Sequence, residues 1–288
     1  MVAPATYRRA WTLGEIGKRE GLVVTLVAER TGVGPERSDT RAGSGTEGLE
    51  LPLTDELKRR TDIVSFSPTT TPPVSGRPYR GLPLLLASRS PRRRALLTEA
   101  GFEHIAEHPG FEDGILTPGQ VSPRQWVAAL ASLKAFAGAT LPAARESGGR
   151  VVLAADTACL LDGKLVGTPT TANEAEKMIR SFMGVQHEVL TGVAIVDLRG
   201  WNGDPASVPH RRRRVLVDTA KVRMGTLSEA ELSSYIASGQ WQGKAGGYNL
   251  SERLAAGWPL VFEGDQTTIM GLPMRRLTGV LEEMASPT

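Results

Sequence analysis

The segment Ser88-Arg89-Ser90-Pro91-Arg92-Arg93-Arg94 gathers the side chains that hold phosphate directly behind an apolar run over residues 82–87. A strand that ends in small hydroxyl residues and turns straight into a helix presents backbone N–H groups and the positive end of the helix dipole. Ser88 and Ser90 add hydroxyls, and Arg92 and Arg93 add guanidinium donors. Arginines in the first turn oppose the dipole, a cost that a bound phosphate would offset. The local chemistry thus predicts an anion site; the competing reading is a capped helix with a solvated basic face.

Other constellations carry less. His104-Ile105-Ala106-Glu107-His108 has the spacing of an inverted zinc-protease motif, which requires a helix to project both imidazoles from one face. Gly101 and Pro109-Gly110 leave too little room for that helix, so a surface strand is expected. The stretch 239–244 is one residue short of a P-loop, and Ala245 stands where a magnesium-ligating Ser or Thr would follow. The basic run 211–214 reads as a solvated hairpin loop, because no aromatic residue interleaves with it to stack on bases. No nucleic-acid partner is expected, and Trp241 and Trp258 read as core or dimer contacts.

The elements that must position these residues become regular from residue 82 onward. Ser90 as N-cap with Pro91 behind it starts a helix that ends by Gly101. Ser122-Pro123 opens a second helix, with Trp126, Leu130, Leu133 and Ala137 at core-facing spacing and Lys134 beside that stripe. Residues 151–155 form a buried strand ending in Asp156-Thr157, and Asp162-Gly163 is a two-residue hairpin turn between 159–161 and 164–166. Thr171 with Glu174 makes a capping box for a helix through Phe182, closed by Gly184. Residues 189–198 and 215–224 form a long hairpin, and Ser228 with Glu231 caps a helix through Ser238. Strand-like runs alternating with amphipathic helices predict an α/β fold, a mixed sheet flanked by helices.

Composition sets the outer bounds. The chain has 288 residues, 40% apolar and 23% charged, which supports a folded body with a sizeable core. A formal charge of +3 is weak for this length and implies no basic partner surface. Cys159 is the sole cysteine, which removes disulfides and multi-cysteine zinc sites and fits a reducing cytoplasm. No apolar stretch approaches the ~20 residues of a membrane span, and no secretory signal pattern opens the sequence. Residues 1–81 differ: rich in Gly, Ser, Pro and Arg, they read as a largely disordered extension, with at most a weak strand and one helical turn over 22–27 and 49–57.

The run Leu86-Ala87-Ser88-Arg89-Ser90-Pro91-Arg92-Arg93-Arg94 resembles the N-terminal signature of the Maf family, whose fold is like that of inosine-triphosphate pyrophosphatases. The likeness continues in order. Leu130-Ala131-Ser132-Leu133-Lys134-Ala135, Ala155-Asp156-Thr157 and Gly184-Val185-Gln186-His187-Glu188-Val189-Leu190-Thr191-Gly192-Val193 follow. Residues 235–248 and Gly271-Leu272-Pro273 complete it, so the resemblance covers about 83–280 and makes 82–285 the domain.

The resemblance implies hydrolysis of nucleoside triphosphates to monophosphate and pyrophosphate, by water attack at the α-phosphorus. It assigns Ser88, Ser90, Arg92, Arg93, Lys134 and Lys244 to phosphate binding and Asp156 to catalysis. A divalent metal, magnesium by default with manganese as the alternative, would lie on Asp156 and Asp113. Thr157, Thr168 and Gln186 are the selectivity positions. The chain departs from the family at Glu112-Asp113, where Asp-Glu is usual, at Thr168-Pro169, where Lys-Pro is usual, and at Asn249-Leu250-Ser251-Glu252, where Ile-Gln-Gly is usual. A house-cleaning enzyme is expected, with a catalytically weak nucleotide-binding regulator linked to cell division as the alternative. Residues 243–246 resemble the branch acting on dTTP and UTP, whereas 264–273 are closer to the branch acting on 7-methyl-GTP; Lys244 tips the expectation to pyrimidines. Members often pair as homodimers.

Overall fold

The computed structural model describes residues 8–14, 22–29, 48–51, 79–111, 121–146, 149–203 and 208–285. The chain divides into two units. In the first, β1 (Arg8–Gly14), β2 (Leu22–Glu29) and β3 (Gly48–Leu51) form an antiparallel sheet in the order β1-β2-β3.

The second unit begins with β4 (Tyr79–Ala87), whose residues Leu84 to Ala87 are buried on both faces. Such a continuous apolar run belongs inside a parallel arrangement, covered above and below. It pairs in parallel with β5 (Phe102–Glu107) on one side and β6 (Val151–Leu161) on the other. From β6 outward the sheet is antiparallel, through β8 (Gln186–Asp197), β9 (Arg213–Met224) and β10 (Leu260–Glu263). The short β7 (Lys164–Val166) folds back on β6. The sheet has seven strands and is mixed, as expected.

The helices start where their caps dictate. Ser90 accepts from the Arg93 N–H at the head of α1 (Pro91–Glu99). Ser122 and Gln125 form a reciprocal capping box on α2 (Pro123–Ala139), and Ser228 and Glu231 do so on α4 (Glu229–Ala237). In α3 (Ala172–Phe182) the predicted box is shifted: Thr171 caps the Glu174 N–H, but the Glu174 carboxylate takes the N–H and hydroxyl of Thr170 instead. The chain ends in α5 (Leu250–Ala255), α6 (Gln266–Met270) and α7 (Met274–Ala285). None of the described helices is long and apolar enough to cross a membrane.

The core lies on both faces of this sheet. One cluster joins Leu84, Leu86, Leu153, Ala155, Val193 and Ile195 to α1 and α7. A second gathers Ile179, Phe182, Val222, Tyr235, Tyr248 and Trp258 around the far half of β8 and β9. Helix α2 takes the sheet face opposite the first cluster, and it sits very close: a Cβ on Gly192 of β8 would lie 2.4 Å from the carbonyl oxygen of Val127. Only glycine permits that approach.

Two sequence expectations change. Asp156-Thr157 does not end a strand; β6 runs through it to Leu161, because both polar side chains find partners and so burial costs little. The run 211–214 is a solvated loop only in part: Arg211 and Arg214 are exposed, but Arg213 already begins β9 and Arg212 and Arg213 are half-buried. The Arg213 guanidinium lies 4.9 Å over the Phe136 ring and that of Arg212 lies 5.9 Å from Trp201, and burial holds Arg213 below its ordinary pKa. Aromatics separated in sequence arrive in space. Trp241 and Trp258 are buried. The surface strand expected at His104 is present: His104 bonds its own neighbour's carbonyl, Phe102 O, at 3.0 Å, and His108 accepts from the Gly110 N–H at 3.1 Å.

Candidate active site

The pairing of β4 with β6 stops at Leu86 opposite Leu153, and β7 takes up the same edge only at Cys159. Between those points β6 carries Asp156 and Thr157 past the end of β4, beside the turn that leads into α1. Open α/β sheets bind ligands in this kind of notch, at the carboxyl ends of strands.

Adjacent residues of a strand point to opposite faces. Thr157 follows Leu153 and Ala155 onto the α1 and α7 side, while Asp156 points to α2. On the first side Arg93 is the hub. Its Nε donates to Gly271 O at 2.9 Å, Nη1 to Ser88 Oγ at 3.2 Å and Nη2 to Thr157 Oγ1 at 3.1 Å. Ser88 Oγ also accepts from the Ser90 N–H at 3.2 Å, so turn, helix and strand are tied together. Thr157 Oγ1 lies 2.9 Å from Thr191 Oγ1, its cross-strand partner, and Thr191 donates to Thr268 O at 2.7 Å. Thr268 in turn donates to Asp218 at 2.6 Å.

On the other side Lys134 Nζ sits 2.6 Å from Asp156 Oδ1, with the two side chains only 14% and 11% exposed. Lys134 and Val127 are two helical turns apart, so the glycine contact that seats Val127 on β8 also sets Lys134 over β6.

Beside these groups opens a small cleft lined by Arg92, Thr157, Cys159, Tyr248, Ile269 and Met270. Arg92, the neighbour of the hub arginine, is the one that faces it. Tyr248 is held from behind by His187, whose Nε2 lies 2.7 Å from the phenolic oxygen, while Phe182 stacks on the imidazole at 4.2 Å. Burial pushes His187 down to about 4, pushes the Cys159 thiol up to about 12 and raises the Tyr248 phenol. All three are neutral near pH 7.

The sequence-derived set therefore separates. Ser88, Ser90, Arg93 and Thr157 form one bonded cluster, Arg92 shares a cleft with Thr157, and Asp156 and Lys134 pair on the other face. Lys244 is paired with Glu252 at the head of α5. Thr168 is exposed between β7 and α3, where Gly167 O accepts from the Gly246 N–H at 3.0 Å. Gln186 is exposed at the start of β8, opposite Arg223. It lies five residues before Thr191 on that strand, about 17 Å at the usual rise. Asp113 and Glu112 lie outside the described residues. Sequence reasoning missed Thr191, Gly271 and Tyr248 as site residues, although all three fall inside the motifs quoted for the resemblance.

As to metal, the described residues contain no group of three or more His, Cys, Asp and Glu that could enclose an ion. Asp156 is one carboxylate with an ammonium already against it. Magnesium bound with a triphosphate needs few protein carboxylates and takes phosphate oxygens and waters for the rest. The donor set fits a cation that arrives with the nucleotide.

The family model described as Maf-like protein matches residues 83–284, which span the whole arrangement just described. The chain belongs to the Maf-like family. Among similar proteins is the dTTP/UTP pyrophosphatase of Salinibacter ruber, 38% identical over 195 residues, covering 68% of this chain and 87% of that protein. That of Pelotomaculum thermopropionicum is 34% identical over 69% of this chain and 95% of its own length. That of Hyphomonas neptunium is 37% identical, with 69% and 94% covered. The match spans 87–95% of each of these relatives but only about two thirds of this chain.

Proposed function

We propose that this chain is a nucleoside triphosphate pyrophosphatase that hydrolyses dTTP and UTP to the monophosphate and pyrophosphate. The observation that carries the reading is the notch at the end of β4, where an arginine-rich helix start bonds Thr157 while the preceding residue of β6, Asp156, pairs with Lys134 on the other face, in a member of the Maf-like family. The similar proteins named above are dTTP/UTP pyrophosphatases, which favours pyrimidines over 7-methyl-GTP. Lys244, the residue that tipped the sequence expectation the same way, is engaged with Glu252, so the preference rests on the relatives.

In this reading Arg92 and the N-terminal end of α1 receive the triphosphate, and Arg93 fixes the turn and Thr157 beneath it. Lys134 places a positive charge against Asp156 and orients that carboxylate. Asp156 aligns a water molecule for attack on the α-phosphorus and takes its proton, a role worth roughly 10²- to 10⁴-fold in rate. Asp156 would also hold a divalent cation, magnesium or manganese, which when bound would supply charge neutralisation for the departing pyrophosphate. Asp113 is the second carboxylate we assign to it. We assign the enzyme to the cytoplasm, where the buried thiol of Cys159 would stay reduced, with a homodimer as the assembly that the family resemblance implies.

A panel of triphosphates with magnesium tests the reading. Pyrophosphate release from dTTP and UTP should exceed that from ATP, GTP, CTP and 7-methyl-GTP. Binding without turnover on every nucleotide would instead support the regulator, and preference for the methylated purine would reassign the substrate.

A further inference from the structure

We propose that Thr191 is a positioning residue that makes Thr157 a hydrogen-bond acceptor, and not a donor, toward the bound nucleotide; this deepens the pyrimidine triphosphate reading and rests on it. A carbonyl oxygen can only accept, so the Thr191 hydroxyl proton is the one in its 2.7 Å bond to Thr268 O. In the 2.9 Å contact between the two threonine hydroxyls Thr191 must then accept, and Thr157 must donate. A guanidinium can only donate, so Thr157 Oγ1 accepts from Arg93 Nη2 at 3.1 Å, which agrees with its proton pointing to Thr191. Every polar atom along Arg93, Thr157, Thr191 and Thr268 O thus has a fixed sense.

Thr157 also lines the cleft and is partly exposed there, whereas Thr191 is 0% exposed. A hydroxyl oxygen has two lone pairs, and with its proton committed Thr157 can offer the cleft an acceptor only. The ligand group it fits is a donor. In a uracil or thymine nucleotide two kinds of group have that chemistry: the base N3–H, in whose place cytosine has a bare acceptor nitrogen, and a sugar hydroxyl. A site built to meet a donor rejects an analogue without it, because its own acceptor is left unpaired.

The test is calorimetric binding of the non-hydrolysable α,β-imido analogues of UTP, CTP and 3′-deoxy-UTP, with magnesium, to the full chain. Thr191→Val keeps the side-chain shape and removes the relay oxygen; Thr191→Ser keeps the hydroxyl and removes the methyl. The wild type should prefer the UTP analogue. In Thr191→Val the preference over one competitor should shrink about five- to tenfold, the scale of one hydrogen bond, and Thr191→Ser should restore it to within about twofold. Loss of discrimination against CTP identifies the base N3–H as the donor, and loss against 3′-deoxy-UTP identifies the sugar hydroxyl. Thr157→Val removes the acceptor itself, should lose the same preference, and carries the test if Thr191→Val does not fold. A Thr191→Val protein that binds all three analogues more weakly in equal proportion, or that keeps both preferences, overturns the proposal. So does a wild type that binds all three equally. A wild type that binds none of them overturns the nucleotide reading itself, and the inference with it.

Discussion

Replacing Asp156 by Asn should damage both catalysis and stability, in amounts that the Lys134 contact sets. The substitution keeps the size of the side chain but removes the charge that sits 2.6 Å from Lys134 Nζ. Stripping one partner from a fully buried ion pair costs about 3–5 kcal/mol. Here the side chains retain 14% and 11% exposure, so some water can reach the stranded ammonium, and about 1.5–3 kcal/mol is the better figure. For a domain of this size that corresponds to a drop in Tm of roughly 4–10 °C. Turnover of dTTP should fall roughly 10²- to 10⁴-fold. The double variant Asp156→Asn with Lys134→Met removes both charges and should recover about 1 kcal/mol or more of the lost stability, with no recovery of turnover. Thermal melts and pyrophosphate release measure the two effects separately. Near-normal kcat in Asp156→Asn would refute the assignment of the reacting carboxylate, and a double variant no more stable than the single one would refute the coupling.

Other expectations follow from burial and from the comparisons. The His187 imidazole is pushed from 6.5 to about 4 by burial, so between those values the unfolded chain takes up a proton that the folded chain does not. This contribution to stability is full above pH 6.5 and is lost as pH falls toward 4, roughly 3 kcal/mol in all; denaturant titrations across that range should show the slope in the wild type and a flatter one in His187→Gln. With its thiol pushed up to about 12, Cys159 should resist iodoacetamide at pH 8 and react only in denaturant, and rapid alkylation of the native protein would contradict the buried position. Because relatives 87–95% covered by the match align to only 68–69% of this chain, removing residues 1–75 should leave kcat/KM for dTTP within about twofold. A truncated protein that misfolds or loses turnover would show that this segment supports the domain.

How much of this was legible in the sequence depends on the range of the interaction. Local rules placed the helix starts well: Ser90, Ser122 and Ser228 are caps because their side chains bond to N–H groups three residues on, which needs no tertiary information. The turn from Ser88 into the helix that carries Arg92 and Arg93 was readable for the same reason. What could not be read was the other end of each long contact. Arg93 and Gly271 are 178 residues apart, and nothing in either stretch names the other. Asp156 looked like a strand terminus because a carboxylate inside an apolar run is costly, and the ammonium that removes the cost stands on a different helix. Lys244 was carried over as a phosphate ligand by motif, yet Glu252 is the partner it finds, and that residue lies within the stretch where this chain departs from the family. The resemblance thus located the notch, whereas only the folded structure shows that Arg92 lines the cleft while Arg93 ties Ser88 to Gly271.

The central claim is that water attacks the α-phosphorus of a pyrimidine triphosphate with Asp156 as the aligning base. Hydrolysis of dTTP by the full chain in ¹⁸O-labelled water, with magnesium and mass analysis of both products, tests it most directly. The account predicts one labelled oxygen in the thymidine monophosphate, none in the pyrophosphate, and loss of this reaction in Asp156→Asn. Label in pyrophosphate or in inorganic phosphate would place the attack at another phosphorus and contradict the account, as would unlabelled monophosphate.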